Sequence, residues 1–181
     1  MNQQEALMVV LGELGRDPKS DFAKQAFLEV LRLLPPVPHV PGSEVFFELA
    51  RKMVPNAVEL ILVRDGKVYL TYRADEFFIG WHLPGTYREP STPFIKVPLI
   101  TDALRCAKKE LGPNVMITSA RKIGWEEHPE SSRFHDAGIL TFCEFMGEPK
   151  GGQWFSECPS DLIPVHLKYW PTVERALRGE A

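Results

Sequence analysis

Two stretches of this chain hold residues whose types and spacing could do chemistry: the loop Gly80-Trp81-His82-Leu83-Pro84-Gly85-Thr86 and the helical run Asp102 to Gly112. Side chains at i, i+3 and i+4 share one face of a helix, and here those places hold Cys106, Lys109 and Glu110. Magnesium asks for hard oxygen ligands and often binds through one or two protein carboxylates, completed by phosphate oxygens and water. Glu110, the one carboxylate of the three, can anchor a cation that a phosphorylated substrate brings with it. It cannot easily hold several metal ions. Lys109 beside it lowers cation affinity, since a unit interaction at ~4 Å is worth about 1 kcal/mol in water and about 4 at an effective dielectric of 20. The same ammonium can contact a phosphate or stand as a solvated surface charge. Cys106 reads as a small buried filler.

A general base must reach the attacking water and be neutral near pH 7, which favours histidine. His135, just ahead of the apolar run 137 to 143, is the first candidate, before His82 and His128 in the Glu126-Glu127-His128 loop. Glu126, Glu127, Asp136 and Glu144 are the acidic residues that could complete a metal site. Arg73, Tyr72 and Arg88 flank the expected pocket and could contact phosphate or a base. Phe77, Phe78, Trp81 and Trp125 either stack on a nucleobase or belong to the core, and core is the reading for Trp81.

The elements that must position these groups follow from periodicity. Apolar residues at helical spacing predict helices over about 4 to 14 and 21 to 34, a stiff proline-rich connector over 35 to 42, and a third helix over 44 to 53. Strand-like runs over 58 to 63 and 67 to 72, separated by Asp65-Gly66, predict a β-hairpin. An amphipathic helix over 101 to 111 ends at the stop signal Gly112-Pro113. Further strands are expected over 115 to 119, 123 to 125 and 137 to 145. A last helix covers 165 to 178, with Pro171 either kinking it or marking its true start. Strands interrupted by one helix and followed by another imply a mixed sheet covered by helices.

With 181 residues, 44% of them apolar, the chain can bury one sizeable core. A formal net charge of −3 gives no general electrostatic reason to bind nucleic acid or anionic membrane. Cys106, Cys143 and Cys158 are an odd number at wide spacing, which suggests neither a disulfide framework nor a zinc knuckle and fits a reducing cytoplasm. No basic leader opens the sequence and no apolar run reaches membrane-spanning length, so the expectation is a soluble, unprocessed chain.

Trp81-His82-Leu83-Pro84-Gly85, followed by Ala103-Leu104-Arg105 and Glu110-Leu111-Gly112, resembles the Nudix box, the loop-helix-loop signature of the Nudix hydrolase superfamily. That box reads G-x5-E-x7-R-E-U-x-E-E-x-G-U, and its glutamates bind divalent metal against a diphosphate. Aligned on Arg105 and Gly112, Cys106 and Lys109 stand where the family has glutamates, and Glu110 keeps the last one. An enlarged loop, Glu89 to Thr101, lies between Gly85 and Arg105, with Glu89 off the register of the early box glutamate. Gly152-Gln153-Trp154-Phe155 and Asp161-Leu162-Ile163-Pro164 look like the late Nudix strand and the turn before the final helix. GDP-mannose mannosyl hydrolases share the box losses and the Glu-Leu-Gly ending, although they double the glycine where this chain has Gly85-Thr86. They cleave the glycosyl bond with one magnesium and a histidine base.

The resemblance implies a Nudix-like α/β/α sandwich with a mixed sheet over 56 to 181, preceded by a helical extension over 1 to 55. It implies a hydrolase of a nucleoside diphosphate derivative, with a nucleotide sugar as one option and Mg2+ or Mn2+ brought in with substrate. Glu110 would bind metal, Arg105 would orient it, and His135 would act as base. Arg73, Arg88 and Lys109 would contact substrate, while Gly85 and Gly112 shape the motif. Two other readings stay open: a nucleotide-binding or regulatory module without turnover, and a structural subunit with a vestigial pocket. A homodimer is the default for such a chain.

Overall fold

The computed structural model describes residues 54–89 and 97–181, together with Gly12, Asp21, Gln25 and Leu28, all four of them helical. The chain divides into two units, Met1–Val40 and Pro41–Ala181, and the second carries the sheet. Those four residues aside, the expected N-terminal helices and the proline connector lie outside the described residues, as do positions 90–96 of the enlarged loop.

Asp65 and Gly66 both take positive φ, 50° and 68°, the geometry that lets a two-residue turn follow the twist of its strands. They join β1 (Asn56–Arg64) to β2 (Lys67–Ala74) with Arg64 opposite Lys67. β3 (Ile79–His82) continues antiparallel on β2, and β4 (Gly85–Tyr87) returns to pair with the first half of β1. β1 thus divides one edge between two partners, β4 at Ala57–Glu59 and β2 at Val63–Arg64. Glu59 sits where the two diverge.

Helix α1 (Leu99–Glu110) begins two residues earlier than its periodicity implies, and Gly112 at φ 90° ends it. Residues 116 to 128 form one strand, β5 (Met116–His128), and not the two that the sequence pattern implies. Register shifts between Ile117 and Ser119 and between Lys122 and Gly124 explain the difference, because each bulge breaks the two-residue alternation. His128 is the last residue of that strand, not part of a loop. β6 (Asp136–Met146) lies parallel to β1 and antiparallel to β5, and β7 (Gly152–Phe155) pairs with β2. The sheet is therefore mixed, in the order β3-β2-β1-β6-β5 with β4 and β7 branching from it. The final helix is two: α2 (Pro164–Leu167) and α3 (Trp170–Leu177), with a proline in the first turn of each.

Strand alternation sorts β1 between two cores. Val58, Leu60 and Leu62 pack with Ala103, Cys106, Ala107 and Leu111 of the α1 layer. Ile61 turns to the opposite face and packs with Tyr169, Trp170, Val173 and Ala176. Helices on both faces of a mixed sheet give the expected α/β/α sandwich. Among the described residues no helix is long and apolar enough to cross a membrane.

Candidate functional site

The strand phase that buries Ile61 also buries Ala57 and Glu59, and these two open onto a polar cavity of about 60 Å³. Arg73, His82, Arg133, Asp136, His166 and Tyr169 share its lining. An adjoining cleft of about 270 Å³ is walled by Phe77, Phe78, Ile79, Pro164 and Val165. Phe78, Ser131 and Val165 belong to both, so the apolar cleft leads to the polar cavity.

Backbone pairing places the catalytically able side chains here. The segment before α2 docks on β3 through Trp81 N–H to Asp161 O at 3.0 Å and Ile163 N–H to Trp81 O at 2.9 Å. That docking delivers His166, whose Nδ1 accepts the Leu83 N–H at 3.0 Å. The proton of the neutral ring is therefore on Nε2, which stands 4.0 Å from Glu59 Oε2. His82 approaches Leu83 O through Nδ1 at 2.6 Å, which puts its proton there, and its Nε2 meets Thr71 Oγ1 at 3.2 Å. Burial drives both rings down, His82 to about 3 with help from the Arg73 charge and His166 well below its ordinary value, so both are neutral at pH 7. His128 is also lowered by burial and shares its Nε2 with the Tyr169 hydroxyl at 2.6 Å.

Glu59 is the anomaly of the cavity. Burial, opposed by the Arg73 guanidinium and reinforced by Asp136 and Glu110, pushes its carboxyl up to about 8. Among the described residues its Oε2 is buried without a hydrogen-bond partner, as are His128 Nδ1 and Arg133 Nε. Gly85 lies directly opposite in the ladder, and a Cβ there would come within 2.2 Å of Glu59 Oε2. Gly85→Ala is accordingly expected to displace the carboxyl and cost about 1–3 kcal/mol by overpacking. Chemical denaturation of Gly85→Ala beside the Gly85→Ala, Glu59→Ala pair checks this, since removing the carboxylate should recover most of the loss.

Arg133 meets the Tyr87 hydroxyl at 3.3 Å and Asp75 at 3.6 Å, with its guanidinium 5.5 Å from the Phe77 ring centre and 5.4 Å from that of Phe78. Arg73 shares Asp75 at 3.5 Å. Burial pushes the Asp75 carboxyl up, but the Phe77 and Phe78 amides and the two arginines outweigh it and bring it below its ordinary value. Asp136, raised by burial, accepts the Tyr87 hydroxyl at 3.0 Å.

The helix face that carries the box-like residues is differently employed. Arg105 does not reach Glu110, its expected partner. It holds Asp102 at 3.0 Å, Thr86 Oγ1 at 3.1 Å, the Tyr87 carbonyl at 2.5 Å and Glu89 at 3.4 Å. Arg88 also donates to Asp102, at 2.8 Å, and to Val97 O. Glu110 lies 3.2 Å from the exposed Lys109 ammonium. Cys106 is fully buried and its thiol is raised well above its ordinary value by that burial, which makes it filler and not a ligand. His135 stands beside Asp136, 3.7 Å from Glu127, and is not part of the cavity lining. Of the other acidic candidates, Glu144 is exposed and Asp136 lines the cavity. Trp81 packs edge-on between Tyr72 and Phe155, and Trp125 is 45% exposed.

Among the described residues no three His, Cys, Asp or Glu side chains gather as a metal cage. The donor set on α1 is one hard oxygen group, Glu110, and it fits a magnesium ion completed by substrate phosphates and water.

Sequence reasoning missed Glu59, Asp102, Arg133 and His166. Glu59 had a legible signal, a lone carboxylate inside the apolar run Val58-Glu59-Leu60-Ile61-Leu62. His166 and Arg133 had none, because their roles depend on docking across the fold.

No family model and no curated protein matches the sequence. Solved structures do. The Escherichia coli ORF135 protein is 24% identical over 69% of this chain and 91% of its own, with a TM-score of 0.52. A NUDIX family hydrolase from Clostridium perfringens is 14% identical over 70% and 97%, at 0.50. The NUDIX domain of Shewanella oneidensis NrtR, solved with ADP ribose, is 16% identical over 77% and 99%, also at 0.50. The sandwich of this chain, with its branched mixed sheet and helices on both faces, is the Nudix fold.

Proposed function

We propose that this domain hydrolyses a nucleoside diphosphate derivative of the nucleotide-sugar class. The observation that carries the reading is the continuity of an aromatic cleft with a polar cavity into which two guanidiniums, Arg73 and Arg133, converge. Phe77 and Phe78 offer faces for a flat base, and planar guanidinium forks suit phosphate oxygens. The ADP ribose held by the Shewanella domain, a nucleoside diphosphate joined to a sugar, supports the class of ligand. Glu110 would hold a magnesium or manganese ion arriving on the substrate phosphates, and that ion would neutralise charge on the diphosphate. Lys109, exposed beside it, would share that neutralisation.

A second reading, nucleotide binding without turnover, is favoured by the Lys109–Glu110 pair and the burial of Cys106. A turnover panel of nucleotide sugars, dinucleoside polyphosphates and nucleoside triphosphates, with and without magnesium or manganese, separates the two. The hydrolase reading expects metal-dependent product that falls about 10²-fold in Glu110→Gln. Tight binding of a panel member with no product under any condition establishes the second reading instead.

A further inference from the structure

Asp102 and Glu59 are both buried carboxylates, and they are built in opposite ways. Asp102 accepts from two arginines and the Glu89 amide, so its carboxyl group is fully partnered and held in place. Glu59 has no lysine or arginine at contact distance among the described residues, and its Oε2 accepts nothing from them. A carboxylate with a purely structural purpose would find a partner, since burying a charge without one is costly. Here the opposing residue is a glycine whose missing Cβ leaves the space that the carboxyl occupies. The remaining tenth of the Glu59 side-chain surface is exposed where the residue lines the cavity.

The other titratable groups around it are committed at one atom at least. His82 on β3 uses both ring nitrogens, and His166 on α2 has only its Nε2 proton left to offer. His128 on β5 shares Nε2 with Tyr169, and Asp136 on β6 is bonded to Tyr87. Arg73 on β2 and Arg133 after β5 bring positive charge, while Asp136 and Glu110 of α1 bring negative charge. Beside the open His166 Nε2–H and His128 Nδ1, both on rings that burial keeps neutral, Glu59 is the carboxyl at the cavity wall whose Oε2 no described residue holds.

We propose that Glu59 is the general acid of the hydrolysis, giving its carboxyl proton to the oxygen that leaves. The proposal rests on the hydrolase reading. As the bond to the leaving oxygen breaks, on phosphorus or on the anomeric carbon, that oxygen takes the Glu59 proton and Glu59 becomes a carboxylate. Water forms the new bond to the same phosphorus or carbon, and its released proton returns to Glu59. One water is consumed and the residue is restored. Keeping a carboxylic acid neutral at pH 7 through an apolar setting is the physical means by which such a group can donate.

The test uses the full chain and the substrate that the panel identifies, with kcat and KM followed against pH for wild type, Glu59→Gln and Glu59→Asp. Wild-type kcat/KM is expected to fall tenfold per pH unit above about 8. Glu59→Gln is expected to lose about 10²-fold or more in kcat with KM nearly unchanged, and to lose the alkaline limb. Glu59→Asp, which keeps the acid on a shorter arm, should be slowed but retain that limb. Infrared difference spectra of the wild type should show a protonated carboxyl at pH 7 that is absent from Glu59→Gln. Undiminished turnover by Glu59→Gln, an unchanged alkaline limb in that variant, or no protonated carboxyl at pH 7 overturns this proposal alone. A wild type that turns over no member of the panel overturns the hydrolase reading and this proposal with it.

Discussion

Replacing Asp102 by alanine is expected to destabilise the domain by about 3–5 kcal/mol, the range for removing one partner of a buried charged set. Asp102 is fully buried and accepts from Arg88 Nε at 2.8 Å, Arg105 Nη2 at 3.0 Å and the Glu89 amide at 3.3 Å. Alanine would leave two guanidiniums, each about a third exposed, with their anchoring carboxylate gone. Arg105 also fixes β4 through Thr86 and the Tyr87 carbonyl, so the loss propagates from α1 to the strand that carries Gly85. Guanidinium denaturation measures it directly. A cost below about 1 kcal/mol would mean that the two arginines find water and Glu89 adequate, as exposed ion pairs do. On this view Arg105 is a structural clamp, and Asp102 is its anion.

The second large effect is in the pH dependence of stability. The Glu59 carboxyl is raised from 4.5 to about 8 in the folded state. Below 4.5 both states hold the proton and its stabilising difference is fully present. Between 4.5 and about 8 the unfolded chain releases the proton while the folded chain keeps it, so stability is lost as pH rises, with a slope approaching about 1.4 kcal/mol per pH unit. Above about 8 the loss is complete. Glu59→Gln has no proton to bind and should become progressively more stable than wild type across that window. Buried neutral His82 and His166 act in the opposite sense, destabilising the fold as pH falls below their ordinary value of 6.5. Subtracting the two unfolding curves cancels them and leaves Glu59. A difference that does not change between pH 5 and 8 would show that the folded carboxyl is already ionised.

Much of the architecture is legible in the sequence because it is written in local signals. Asp65-Gly66 fixes the hairpin by its positive φ angles, and Gly112-Pro113 stops α1. β5 reads as two strands because its two bulges shift the alternation that identifies a strand. The last helix reads as one because a proline can bend a helix or begin one, and here Pro171 sits in the first turn of α3.

The site is less legible for a different reason. The box-like face of α1 draws the eye to Arg105, Cys106, Lys109 and Glu110, which are neighbours in sequence. The groups with perturbed titration come from positions as distant as Glu59, His82, Asp136 and His166, joined only when β1 splits between β2 and β4 and α2 docks on β3. Even there one residue announced itself. A glutamate among Val58, Leu60, Ile61 and Leu62 contradicts the burial of its strand, and such contradictions between local chemistry and fold are expected at functional positions.

If the proposed function holds, the nucleotide derivative sits in the cavity on the α2 and α3 side of the sheet, with α1 contributing only a cation contact. Side-chain NMR of isotope-labelled histidine and arginine, during titration with a non-hydrolysable nucleoside diphosphate sugar, tests that placement most directly. Shifts in the His128, His166 and Arg133 resonances, strongest at His128 Nδ1 and Arg133 Nε, which no described residue partners, are the predicted result. Saturable binding that leaves those three side chains unmoved would contradict it.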